Sequence, residues 1–191
     1  MSELSIAPAA ESPDPVAPQI NAAKLEQMMQ DIKANQSIGM GIAGGFAASV
    51  IAAFIWSGIT YITNMQIGYM AIGVGFLVGL AVRHLGKGID FKFGLAGASF
   101  SLFGCLLGNL LVVMISASQI EGISVFQILS VLLTTPNVII EIYKESFSPI
   151  DLLFYGIAIY AGYRYGIMEI SEDELESIQT PPPPQSPGGA V

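Results

Sequence analysis

The stretch ANQSIGMGIAGGFAASVIAAFIWSGITYITNMQIGYMAIGVGFLVGLAV, Ala34 to Val82, contains no Asp, Glu, Lys or Arg. A helix needs about 20 apolar residues to cross the hydrocarbon of a bilayer, so this run is long enough for two crossings. They are expected at 38–61 and 67–85, and the short connection Ile62 to Gln66 makes them an antiparallel hairpin. Trp56, Tyr61 and Tyr69 fall near that connection, where amphipathic rings prefer the headgroup layer. A second charge-free run, Phe93 to Ile120, holds a third crossing at 93–116.

Composition agrees with this reading. The chain has 191 residues, 52% hydrophobic and only 12% charged, against about 25% charged in soluble domains. A collagen-like fibre, a disulfide scaffold and an ordinary soluble enzyme are excluded. The net charge of −8, with 7 bases against 15 acids, offers no attraction for nucleic acid. Its acids concentrate in the tails and in the 121–151 region. The single cysteine, Cys105, lies in an apolar segment and reads as a small buried hydrophobe. His84 is the only histidine and has no neighbour suited to metal binding. GVGFLVG at 73–79 follows no strand, and GKG at 86–88 lacks the spacing of a phosphate-binding loop. No metal, cofactor or catalytic residue is therefore assigned.

Outside these runs the chain changes character. Residues 1–20 are rich in Pro and Ala and are expected to be a disordered tail. In 21–36, Leu25, Met28, Met29 and Ile32 share one face of an amphipathic cytoplasmic helix with Asn21 as its cap. Residues 123–147 are expected to form a broken amphipathic segment, an interfacial or re-entrant helix pair. Gln127, Ser130 and Thr134 make a narrow polar stripe, Pro136 interrupts the helix, and Glu141, Lys144 and Glu145 lie opposite Val138, Ile139 and Ile142. A fifth crossing over about 123–143 is the alternative. The last crossing is expected at 149–168, with Asp151 and Arg164 near its ends, and 169–191 is an acidic then Pro-rich disordered tail. No secretory signal peptide is seen, so the first crossing is expected to act as its own insertion signal.

The bases orient the chain. With four crossings Lys24, Lys33, Arg83, Lys87, Lys92 and Arg164 face one side, and the positive-inside bias makes that side, with both termini, cytoplasmic. With five crossings the tally is again six against one, so only the side of the C-terminus separates the alternatives. Arg83, Lys87 and Lys92 are candidates for holding an anionic lipid headgroup.

Small residues recur at helical spacing: Gly41, Gly45, Ala48 and Ala52 in the first crossing, Gly68, Gly75 and Gly79 in the second, Gly97, Ser101, Gly104 and Gly108 in the third. In lipid, helices associate through close packing that such residues permit. Gly41, Gly45, Gly75, Gly79, Gly104 and Gly108 are thus read as helix-packing positions, within one chain or between copies. Asn109 is the main polarity of the third crossing, read as an interhelical hydrogen bond or part of a polar pathway. No charged residue falls at mid-membrane depth, which weighs against an ion-coupled transporter.

IGYMAIGVGFLVGLAVRHLGKG (67–88), FGLAGASFSLFGCLLGNLL (93–111) and DLLFYGIAIYAGYRYG (151–166) resemble a loose group of uncharacterised bacterial multi-pass inner-membrane proteins, in which a Gly-rich hairpin ends in a basic turn. That resemblance implies a bacterial inner membrane and supplies no site residues. The expectation is an all-α polytopic membrane protein, a four-transmembrane-helix bundle. Its expected role is that of a non-enzymatic scaffold or accessory subunit, in contact with the lipid bilayer and with a protein partner through 21–36 or the C-terminal tail. The alternative is a small channel or permease formed by homo-oligomerisation along the glycine faces.

Overall fold

The computed structural model describes residues 19–63, 68–146 and 148–180. The expected tails at 1–18 and 181–191, and the centre of the first interhelical connection, lie outside the described residues. Among the described residues, Asp31–Glu169 make one compact unit, and those up to Gln30 with those from Ile170 make another.

The larger unit is built on helices α2 (Ile38–Thr63), α3 (Met70–Gly86), α4 (Phe91–Glu121) and α7 (Pro149–Gly166). α2 and α4 are each long and apolar enough to cross a membrane. At 1.5 Å per residue they run about 39 and 46 Å, while α3 and α7 run about 26 and 27 Å. Pro149 opens α7, where a lost N–H costs nothing, and Ser148 N donates to the Asp151 carboxylate at 2.9 Å. Gly122, at φ 66°, ends α4 in the left-handed conformation that a glycine adopts without strain.

Contacts along the four helices fix their directions. Gly41 meets Gly86 and Gly45 meets Val82, so α2 and α3 are antiparallel. Gly45 meets Phe100, Gly104 meets Ser49 and Gly108 meets Trp56, so α2 and α4 run parallel. Gly75 meets Ala158 and Gly79 meets Tyr165, which makes α3 and α7 parallel, and Gly97 on Gly162 with Gly94 on Tyr163 makes α4 and α7 antiparallel. The result is a four-helix bundle, with α3 and α4 also touching across the middle. All four helices coexist over the length of α3 and α7, close to the ~30 Å of bilayer hydrocarbon. Beyond that section α2 and α4 project past their neighbours.

The bundle inverts the sorting of a soluble protein. Its interior holds Ala48, Ala52, Ala53, Ala71, Val78 and Ala158 together with Ser49, Ser57, Ser101 and Asn109. Large apolar side chains point outward: Phe54 is 61% and Leu152 66% exposed, and Phe46, Ile51 and Leu95 are also more than half exposed. In water so much apolar surface would drive aggregation. Against lipid, where Leu gains nothing by turning inward, small residues inside and bulky ones outside is the stable arrangement.

Trp56, expected near the interhelical connection, is enclosed between helices. It is 3% exposed, its ring lying against Gly108 of α4. The cause is the glycine: with hydrogen at position 108, an indole fits between two helices that would otherwise be held apart.

Between α4 and α7 lie α5 (Val125–Thr134) and α6 (Asn137–Ser146), bent by 114°. Pro136 sits at the bend, as expected from its missing donor. The polar stripe of α5 bonds within the helix itself. Gln127 accepts from Ser124 N, Ser130 Oγ donates to Gln127 O, and Thr134 Oγ1 donates to Ser130 O. Polar groups satisfied in this way tolerate lipid, and α5 turns Leu132 inward at 4% exposure while Phe126, 82% exposed, and Leu133 face outward. Tyr143 of α6 donates its hydroxyl to Leu106 O at 2.6 Å, tying the segment to the middle of α4. Tyr143→Phe should cost about 0.5–1.5 kcal/mol and speed amide exchange across 137–146, with exchange in α2 and α3 unchanged.

In the smaller unit the expectation of disorder fails at both inner edges. Gln19–Ile20 pairs antiparallel with Gln179–Thr180, with Gln19 opposite Thr180 and Ile20 opposite Gln179. Asn21 N donates to Ile178 O at 2.9 Å, and Ile178 is buried. Helix α1 (Ala22–Asn35) follows, capped by Asn21, whose Oδ1 accepts from Ala23 and Lys24. Helix α8 (Glu172–Ser177) precedes the returning strand, and Ser171 accepts from Glu174 N to cap it. The composition of each tail lacks a core of its own, and the order comes from pairing the two.

Candidate functional site

The six packing glycines all face neighbours within the chain. A Cβ built on Gly41 would lie 3.3 Å from Phe93, on Gly45 2.8 Å from Phe100 and Val82, and on Gly79 2.8 Å from Tyr165. On Gly75 it would strike the backbone of Ala158, on Gly104 it would lie 2.8 Å from Val74, and on Gly108 3.1 Å from Trp56. The closest approach of two backbones is between Gly97 and Gly162, which touch with Ser101 Oγ beside them. Ser101 Oγ donates to Gly97 O at 2.7 Å, which removes its own polarity from the interior. Gly39, Gly58, Gly73 and Gly156 have no neighbour within 4 Å of a Cβ, and no pattern of spacing alone separates them from the other set.

The basic turn between α3 and α4 is tightly held. Ser37 N donates to Gly86 O and Met168 N to Gly88 O, each at 2.8 Å, and Gln36 donates to Asp90 at 3.0 Å. Gly86 and Gly88 make room for the ring of Phe93, which closes this end of the bundle at 2% exposure. Lys87 and Lys92 are exposed and Arg83 half-buried, and none of the three forms an ion pair among the described residues. Arg164, at the same end, pairs with Glu169. Lys87 has φ 49°, a left-handed conformation that costs a residue with a Cβ about 1 kcal/mol. The turn thus presents three cations without an ion pair against one acid, Asp90, an excess of positive charge that suits an anionic headgroup. Lys87→Gly should raise stability by about 1 kcal/mol while lowering retention of phosphatidylglycerol, measured by melting and by lipid analysis of the purified protein. Opposite signs in the two measurements separate the charge from the fold.

Asn109 lies at the other end of the four-helix section, 2% exposed and next to the Gly108–Trp56 contact. It borders an open cavity of about 460 Å³ on α4, together with Val112, Ser116 and Glu121. A second cavity, about 210 Å³, opens between the projecting ends of α2 and α4. Its polar residues Ser57, Thr60, Ser116 and Gln119 were missed by reading the sequence, although each helix repeats the signal of two small polar or amide residues three apart. Trp56 Nε1 and Thr60 Oγ1 are buried without a hydrogen-bond partner. Among the described residues no group of three or more His, Cys, Asp or Glu comes together to hold a metal ion. No family model, curated protein or solved structure matches this chain.

Proposed function

We propose that this chain is a four-crossing integral membrane protein of the bacterial inner membrane that acts without catalysis, as a scaffold or accessory subunit of a membrane complex. The observation that carries the reading is the pairing of Gln19–Ile20 with Gln179–Thr180. Two tails that pair must lie on one side of the membrane, which requires an even number of crossings. The antiparallel course of α4 and α7 supports the same count, because the chain leaves α4 and enters α7 at the same end, making α5–α6 a re-entrant pair. The six bases support a cytoplasmic side for the paired tails.

A small unit that pairs Gln19–Ile20 with Gln179–Thr180, in a chain whose helical bundle is filled with Gly, Ala, Val and Ser, suits a protein whose work is attachment. α1 offers Leu25, Met28, Met29 and Ile32 as a half-buried apolar stripe for a partner. Oligomerisation along the six packing glycines is disfavoured, because those faces are already occupied inside the chain. In cross-linked native membranes, the full chain should retain a stoichiometric protein partner, and Met28→Glu with Met29→Glu should release it while the bundle still melts normally. A chain that purifies alone and conducts solutes in liposomes would contradict the scaffold role.

A further inference from the structure

The cavity between the projecting ends of α2 and α4 has the features of a built site. Thr60 lines it and carries a buried hydroxyl without a partner. Trp56, one turn earlier on α2, adjoins the lining through Ser57, and its ring lies on Gly108, one turn before Val112 of the opposite wall. Its indole N–H is buried, equally unpartnered, and can only donate. The Thr60 hydroxyl, costly to leave unsatisfied, lies in an opening where Ser116 and Gln119 of α4 supply further donors and acceptors.

Chemistry narrows the occupant. No charged side chain lines this cavity, so an ion would lose its hydration without gaining a counter-charge. The apolar wall of Val112 and the ring of Tyr61 favour a molecule with an apolar face as well as hydroxyls. A volume of about 210 Å³ equals roughly seven waters at ~30 Å³ each, room for one sugar ring. With the four-helix section across the hydrocarbon, the projecting ends lie at headgroup depth on the side away from the basic turn. We infer that this cavity binds a neutral polyhydroxylated group, the sugar of a glycosyl lipid or a free sugar.

Trp56 is the only tryptophan in the chain and reports on its own surroundings. Full-length protein is placed in phosphatidylethanolamine nanodiscs, and its emission is followed as glucosyl diacylglycerol is added to the bilayer or methyl glucoside to the buffer. A saturable emission change is expected. A response to both probes identifies any glucose ring as ligand, and a response to the glycolipid alone identifies the lipid headgroup. Thr60→Val, which removes the hydroxyl and keeps the shape, should weaken the response about tenfold, and Ser116→Phe, which fills the opening, should abolish it. Thr60→Val tests the site even if Ser116→Phe fails to fold. No saturable change with either probe, as for a cavity that holds only water, would overturn the assignment. A change with the same midpoint in Thr60→Val would overturn it equally.

Discussion

Replacing Gly97 or Gly162 by leucine is expected to abolish the folded bundle. These residues meet backbone to backbone where α4 crosses α7, and a Cβ on either would lie 2.9 Å from the carbonyl carbon of the other. No rotamer relieves such a clash, since the obstructing atoms belong to a helix backbone and not to the end of a flexible side chain. Even alanine should cost about 1–3 kcal/mol by forcing the helices apart, and leucine should leave no cooperative melting transition in detergent. Gly75→Leu should behave in the same way, because it faces the Ala158 backbone, and Gly104→Leu should be milder, because its obstacle is a Val74 methyl. Gly73→Ala and Gly156→Ala point into open space and should stabilise their helices by about 0.5–1 kcal/mol. Equal effects in the two groups would refute packing by approach of the backbones.

Phe93→Ala is the second large effect. Phe93 is the one bulky aromatic ring enclosed at the basic end, held among Gly41, Gly86 and Gly88. Three glycines around a ring make a fitted socket that cannot close on a smaller side chain, because glycine has nothing to move inward. The loss should be about 3–5 kcal/mol, with faster amide exchange in the turn 86–92. Refilling distinguishes the socket from a general need for bulk: Phe93→Leu should recover part of the stability, whereas Phe91→Ala, at a lipid-facing position, should cost little. A Phe93→Ala protein that melts like the parent would refute the socket.

Much of this architecture is legible without coordinates, for a definite reason. The absence of charge from Ala34 to Val82 and from Phe93 to Ile120 marks the apolar helices, and small residues at i, i+4, i+7 and i+11 mark faces that approach. What the pattern lacks is the identity of the partner. In a bilayer both faces of a helix are apolar, so α2 carries almost no amphipathic signal, and Trp56 reads as interfacial until Gly108 is seen to receive it. The role of Gly86 and Gly88 is hidden for the same reason, since their use as a socket depends on Phe93 folding back over them. The candidate cavity was not legible. Asn109, the amide amid the apolar part of α4, borders a different cavity, and Thr60 and Gln119 gain meaning only when α2 and α4 are known to run parallel. The paired tails were invisible, because a two-residue strand leaves no periodicity to detect.

The central claim is a bundle of four crossings with a re-entrant α5–α6. It is tested most directly by labelling single cysteines, placed in a Cys105→Ala background at Glu26, Glu121, Glu145 and Glu172, with an impermeant maleimide applied from either side of the membrane. Cysteines at 26 and 172 should react only from the cytoplasmic face, and those at 121 and 145 only from the opposite face. Reaction of 121 and 145 from different faces, or of 26 and 172 from different faces, would contradict it.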